Sequence, residues 1–150
     1  MHPIITRTVT VLAVGAALAG TAAASRPQIT KIGLEQALVP TFTNLYLQQA
    51  GILGIGGITA HSIGATTSCD KGGPKVADTG AGPNWICMMS WTDNHGQHQD
   101  GKFEVMVRTD ATYVAGGPSK IIGLAIITDR HGHDVPNPVF QFDGVIHTNS

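Results

Sequence analysis

Residues 102–109 read Lys-Phe-Glu-Val-Met-Val-Arg-Thr, and residues 85–91 read Trp-Ile-Cys-Met-Met-Ser-Trp. In the first stretch Phe103, Val105 and Val107 alternate with mostly charged neighbours, which predicts a half-buried antiparallel strand. In the second stretch both alternate sets of residues are largely apolar, which predicts a central strand covered on both faces. These two strands set the expected fold class, because each needs neighbouring strands and a covering layer.

The segments on either side of this pair predict the rest of a sheet and one helix. The firmer helix is placed at residues 40–49, since proline suits a first helical position and Gly51 is a plausible stop. A separate short helical piece within residues 31–38 is the open alternative before it, because Pro40 would kink or break a helix that continued through it. Residues 70–84 are rich in glycine and proline and predict a loop. Further strands are expected at residues 58–67, 111–115, 121–128, 139–142 and 145–148. A helix followed by a run of strands predicts an α+β fold, with the N-terminal helix packed on an antiparallel sheet of four to six strands.

The first 24 residues have the pattern of a secretory signal peptide. Arg7 precedes a short apolar run at residues 9–18, and alanines at residues 22–24 provide the small side chains of a cleavage site. We therefore expect residues 1–24 to be removed and residues 25–150 to form a single α+β domain. The expected location is secreted, extracellular or associated with the cell envelope.

Cys69 and Cys87 are the two cysteines of the chain. In an exported protein such a pair is most simply one disulfide, and closing that loop is worth roughly 3 kcal/mol. Free thiols, one of them catalytic, are the alternative, but no thiolate-activating motif surrounds either residue.

Composition excludes some classes of function. Charged residues make up 13% of the chain and the formal net charge is −1, with no basic run, so nucleic-acid binding is disfavoured. After signal cleavage no apolar segment is long enough to span a bilayer. The glycine-rich residues 72–82 lack the Gly-Lys-Ser/Thr step of a phosphate-binding loop. The sequence also lacks the nucleophile elbow of a serine hydrolase. No cofactor is predicted.

Four histidines are the weak candidates for chemistry. His95 and His98 lie in one predicted connection, and His131 and His133 lie in another, each beside aspartates. Imidazoles with nearby carboxylates bind zinc or copper where three or four donors converge, and otherwise they are solvated turn residues. The His133-Asp134 pair could also suggest a hydrolase, but it lacks the helical setting that would orient the imidazole. Turn residues are therefore the preferred interpretation.

From about Pro40 to Gly144 the chain resembles a group of small, mostly uncharacterised secreted proteins of actinobacteria. The shared features are Thr43-Asn44-Leu45-Tyr46, residues 69–74, Asn84-Trp85-Ile86-Cys87 with Trp91, and residues 137–144. In that group the resemblance implies a second cysteine pair in segments matching residues 110–113 and 143–146. Those segments hold Thr112 and Val145 here, so both halves of that crosslink are missing together. The resemblance implies no activity that could be carried over.

Three hypotheses for function follow from the sequence. The first is an exported, non-enzymatic domain that binds a partner protein, an envelope component or a small ligand, with no catalytic residues. The second is a secreted hydrolase that uses the loop histidines. The third is a metal-binding protein that uses His95, His98, His131 and His133. The absence of a catalytic motif favours the first.

Overall fold

The longest element of the protein is helix α1 (Lys31–Leu53), which lies across one face of an antiparallel sheet. The computed structural model describes residues 28–147, so the signal peptide predicted for residues 1–24 lies outside the described residues. Thr30 caps the start of α1 by accepting a hydrogen bond from the N–H of Gly33 at 3.1 Å. Gly54, with φ of 74°, ends the helix in the left-handed conformation that glycine adopts without strain.

The prediction that the helix begins at Pro40 is wrong, because α1 passes through that residue. Proline removes one helical hydrogen bond and crowds the preceding turn, which costs about 3 kcal/mol. Pro40 itself is exposed, whereas the buried face continues on both sides of it. That face comprises Leu34, Ala37, Leu38, Phe42, Tyr46 and Ala50. Burial of a Leu, Phe or Tyr side chain is worth about 1.5–3 kcal/mol, so the packed stripe outweighs the loss at Pro40.

Five strands form the main sheet, in the order β1-β2-β3-β4-β7, and every neighbouring pair is antiparallel. The strands are β1 (Thr66–Asp70), β2 (Gly82–Thr92), β3 (His98–Val107), β4 (Thr112–Gly116) and β7 (Gln141–Val145). A second sheet is the hairpin of β5 (Ile126–Thr128) and β6 (Asp134–Pro136). Two short helices, α2 (Ala60–Ile63) and α3 (Ser119–Ile122), lie before β1 and before β5. The predicted α+β class, with one long helix on an antiparallel sheet, is confirmed.

The core lies between α1 and the inner face of the sheet. Trp85, Trp91 and Phe103 are fully buried there, as expected from their alternation along β2 and β3. Phe42 of α1 sits against Trp91 and Phe103, with ring centroids 5.0 Å and 5.6 Å away. Such tilted and edge-to-face contacts are the favoured arrangements of aromatic rings. The tryptophans are therefore core residues and not an exposed binding face.

The other face of the sheet is open to solvent, which corrects the prediction that β2 is covered on both sides. Met88 is 46% exposed, and Ile86 and Ser90 are only half-buried. α1 covers one face, so the apolar second set of β2 has no second layer above it. None of the helices described for residues 28–147 combines the length and apolar character that a membrane crossing requires.

Four predicted strands were wrong in part. The two expected at residues 139–142 and 145–148 are one strand, β7 (Gln141–Val145). Residues 58–67 contain α2 before β1 begins at Thr66, and residues 121–128 contain the end of α3 before β5 begins at Ile126. Short apolar runs do not distinguish a helical turn from a strand by periodicity alone. At α2 the decisive signal is local, since Thr59 and Ser62 form a capping box.

The disulfide between Cys69 and Cys87 is confirmed. The two residues face each other across β1 and β2, with their Cα atoms 4.0 Å apart. Both side chains are buried beneath α1, at 1% and 0% exposure. The crosslink therefore ties the outermost strand β1 to its neighbour β2.

Candidate functional site

The two histidine-bearing connections, between β2 and β3 and between β5 and β6, have the same turn conformation. Residues 92–96 read Thr-Asp-Asn-His-Gly and residues 128–132 read Thr-Asp-Arg-His-Gly. In each, the glycine N–H donates to the aspartate carbonyl, at 3.1 Å for Gly96 and 3.0 Å for Gly132. Both glycines have positive φ, 75° and 87°, as expected where a type I hairpin turn ends in a left-handed residue.

The aspartate side chain closes each turn from inside. One Asp93 oxygen accepts the N–H groups of His95 and Gln97 at 2.8 Å and 2.9 Å, and one Asp129 oxygen accepts those of His131 and His133 at the same two distances. Partial desolvation raises the pKa of Asp93, but the N–H of Gln97 and the Gln99 amide outweigh it and leave that pKa below its ordinary value. The backbone N–H of His133 is the main cause that lowers the pKa of Asp129. His95 and His131 therefore lie inside turns that the aspartate side chains close.

The four candidate histidines do not converge on one point. All four of His95, His98, His131 and His133 are exposed. The rings of His131 and His133 are 6.5 Å apart, and the Nε2 of His131 accepts a hydrogen bond from the Arg130 side chain at 3.1 Å. Among residues 28–147, no three His, Cys, Asp or Glu side chains are grouped so that they could hold a metal ion.

The carboxylates beside these histidines do not form a hydrolytic triad. Asp100 accepts a short hydrogen bond from the Ser90 hydroxyl, and the same oxygen lies 3.2 Å from Nε2 of His98. The Ser90 hydroxyl is the main cause that lowers the pKa of Asp100. The carboxylate therefore stands between serine and imidazole, whereas a serine hydrolase places the imidazole between the other two. His133 pairs at 3.5 Å with Asp129 and not with its sequence neighbour Asp134.

Comparison with known proteins gives no family. No family model matches the chain, and neither curated proteins nor solved structures give a significant match.

One open cleft, of about 630 Å³, lies where the end of α1 meets the β5–β6 hairpin. Arg130 lies across this junction, because its N–H donates to the Ile52 carbonyl at 3.0 Å and its stem packs over Gly54. A cation at a helix C-terminus neutralises the negative end of the helix dipole. Arg130 thus has a structural role at the end of α1.

Two buried amides fix the base of the hairpin. Gln49 and Asn137 are only 8% and 4% exposed, and the Gln49 amide donates to the Asn137 side chain at 2.9 Å. The Asn137 amide in turn donates to the carbonyls of Ile122 and Leu124, each at 2.9 Å. Because buried amides are costly when unpaired, this network holds residues 122–139 against α1.

A larger groove, of about 820 Å³, opens on the uncovered face of the main sheet. Its floor includes Gly116, where an added Cβ would meet nothing nearer than 4.0 Å. Phe140 and Gln141 line one side, at the start of β7, and Lys102 and Glu104 line another. The groove therefore leads to the edge of the sheet that β7 forms.

The first edge of the sheet, strand β1, is covered in part by α1, at Cys69. The main-chain N–H of Cys69 points away from β2 and donates to a Glu35 side-chain oxygen at 2.8 Å. Lys31, one turn earlier, lies 3.9 Å from the same oxygen. Natural sheets commonly shield an edge in this way, because free strand groups attract other strands.

The second edge, strand β7, is open. Gly117 donates to the Phe140 carbonyl at 3.1 Å, and Ile146 donates to the Ala111 carbonyl at 2.8 Å. Hydrogen bonds alternate along an antiparallel pair, so the main-chain groups between these points face outward at every second residue. The outward residues are Gln141, Asp143 and Val145, and their N–H groups donate to no residue within 28–147. This edge was missed by the sequence analysis, since nothing in residues 139–148 indicates which strand is outermost.

Proposed function

We propose that the protein is an exported, non-enzymatic domain that binds an extended segment of a partner protein along strand β7. The observation that carries this proposal is the contrast between the two edges of one sheet. The β1 edge receives a side-chain acceptor from Glu35, whereas the β7 edge presents three outward residues. An extended peptide binds such an edge by main-chain pairing, and the neighbouring groove can accept its side chains.

Strand β7 is packed against the sheet's inner layer on the face opposite its outward side chains. Phe142 points inward and is 6% exposed, and Gly144 lies directly beneath the Tyr113 ring. The Tyr113 hydroxyl donates to α1, at 3.1 Å from the Thr41 hydroxyl oxygen. An edge held in its binding conformation reduces the ordering cost of association.

Export is proposed from two independent features. The signal-like residues 1–24 predict it, and a buried disulfide is typical of proteins that fold in an oxidising compartment. The resemblance to secreted actinobacterial proteins points the same way and remains a prediction.

The test is selection from a library of displayed heptapeptides, followed by affinity measurement on purified protein. Asp143→Pro removes an outward N–H without touching the hydrogen bonds to β4, so it should abolish binding of the selected peptides while the fold is retained. Thr67→Pro is the matched control, because residue 67 has an outward N–H on the opposite edge, two residues from Cys69.

We expect selected peptides to bind the wild type and Thr67→Pro equally. The proposal is overturned if no peptide is enriched, or if the enriched peptides bind Asp143→Pro as tightly as the wild type. Circular dichroism and melting temperature of both variants establish that each one is folded.

A further inference from the structure

We infer, as a deepening of the proposed function on which it rests, that the segment bound by β7 runs antiparallel and carries a basic side chain opposite Asp143. Every neighbouring pair in the main sheet is antiparallel, and that pairing is the more stable per residue. A strand added in the same sense continues the existing pattern.

Asp143 is the central outward residue of β7, and its carboxylate is available. It is exposed on the uncovered face of the sheet and forms no ion pair with any other residue between 28 and 147. Its neighbours directly across the strands are Val114 and then Met106, so no cation lies opposite it. Lys102 and Arg108 lie elsewhere on the same face, where the Arg108 side chain is engaged at 3.5 Å with the Thr112 hydroxyl. A residue directly opposite on an added strand would place its Cβ about 5 Å away, within reach of a charge pair.

The two flanking positions complete the recognition pattern. Val145 is 53% exposed, which favours an apolar or β-branched partner residue opposite it. Gln141 is exposed at the other end and offers an amide to a polar side chain. From its N-terminus to its C-terminus, the bound antiparallel segment therefore carries an apolar residue opposite Val145, a basic residue opposite Asp143 and a polar residue opposite Gln141, at alternate positions.

A second copy of this chain fits the edge less well. The antiparallel register that pairs all three outward residues places Asp143 opposite Asp143 of the other copy. Like charges directly opposed on neighbouring strands are destabilising, so the edge disfavours self-pairing and favours a basic partner.

The experiment uses two acetylated, amidated heptapeptides, Thr-Val-Thr-Lys-Thr-Gln-Thr and the same sequence with Glu in place of Lys. Their affinities are measured by titration calorimetry against wild type, Asp143→Lys and Asp143→Pro. We expect the Lys peptide to bind the wild type about fivefold more tightly than the Glu peptide. Asp143→Lys should reverse that preference, and Asp143→Pro should bind neither peptide.

Each other outcome decides against one of the two proposals. Equal binding of both peptides to wild type, lost in Asp143→Pro, overturns the basic partner and leaves strand addition intact. Failure of both peptides, together with an empty library selection, overturns strand addition itself. A wild-type dimer in analytical ultracentrifugation that becomes monomeric in Asp143→Pro identifies a second copy as the occupant and overturns the inference.

Discussion

Glu35 on the long helix accepts a hydrogen bond from the main-chain N–H of Cys69, at 2.8 Å. This contact joins α1 to the outermost strand at the residue that also carries the disulfide. The Cys69 N–H faces away from β2, and the Glu35 carboxylate supplies the acceptor that no neighbouring strand provides there.

The first prediction concerns that contact. Glu35→Ala should lower the free energy of unfolding by about 1.5–3 kcal/mol, because a hydrogen bond to a charged group is lost at a partly buried N–H. Glu35→Gln retains an acceptor and should lose less. Lys31→Ala, which removes only the 3.9 Å ion pair to Glu35, should change stability by less than about 0.5 kcal/mol. Urea titration measures all three, and equal losses for the Ala and Gln variants would contradict this role.

A second prediction compares two glycines of neighbouring strands. A Cβ at Gly144 would overlap the ring and hydroxyl of Tyr113, so Gly144→Ala should destabilise the protein by about 1–3 kcal/mol. Gly116→Ala is the control, since its Cβ would enter open space and should alter stability little. Thermal unfolding distinguishes the two, and a neutral Gly144→Ala would mean that Tyr113 can move without cost.

The third prediction concerns the crosslink implied by the resemblance to secreted actinobacterial proteins. Thr112 and Val145, from the two segments matched to the missing cysteine pair, are directly opposite each other on β4 and β7. Their pair falls between hydrogen-bonded positions, where opposite Cα atoms are closest. The double variant Thr112→Cys, Val145→Cys should form a disulfide on oxidation and gain about 2–4 kcal/mol over its reduced form. Persistent free thiols at these two positions would contradict the register.

A fourth prediction follows from the repeated turn. The pKa values of Asp93 and Asp129 lie below their ordinary value of 3.8 in the folded protein. At Asp93 desolvation raises the pKa, but the hydrogen bonds that its carboxylate accepts outweigh that effect. At Asp129 the main cause is the hydrogen bond from the His133 N–H. The unfolded chain therefore binds more protons in acid, and this stabilisation is complete well above pH 3.8 and is lost as the pH falls through the folded pKa values. Asp93→Asn with Asp129→Asn keeps the acceptor oxygens but cannot titrate. Its unfolding free energy should fall less steeply below pH 5 than that of the wild type, and identical slopes would refute the assignment.

The fifth prediction concerns the four candidate ligands. Because His95, His98, His131 and His133 are exposed on turns, micromolar zinc should change the melting temperature little. A bound metal at a hundredfold excess over its Kd would instead stabilise the fold by about 2.7 kcal/mol. A large shift with zinc that disappears in the variant His131→Ala, His133→Ala would establish a metal site.

Some of the architecture was determined by local sequence pattern. The alternation of Phe103, Val105 and Val107 set the inner face of β3, and the same parity placed Trp85, Cys87 and Trp91 in the core. The disulfide followed from having two cysteines and a signal-like start. These inferences hold because side-chain alternation and cysteine pairing depend on short-range geometry and on compartment.

The extent of α1 and the identity of the open edge were decided only by the tertiary structure. Pro40 would end an isolated helix, but burial of Leu34, Leu38 and Phe42 against the sheet stabilises the turns on both sides of it. Strand order likewise depends on contacts between distant segments, such as Glu35 with Cys69, which no local pattern contains. Strand β7 is an edge because β4 occupies one side of it and no strand formed by residues 28–147 pairs with the other. A free edge is a property of the assembled sheet, so no single segment of sequence determines it.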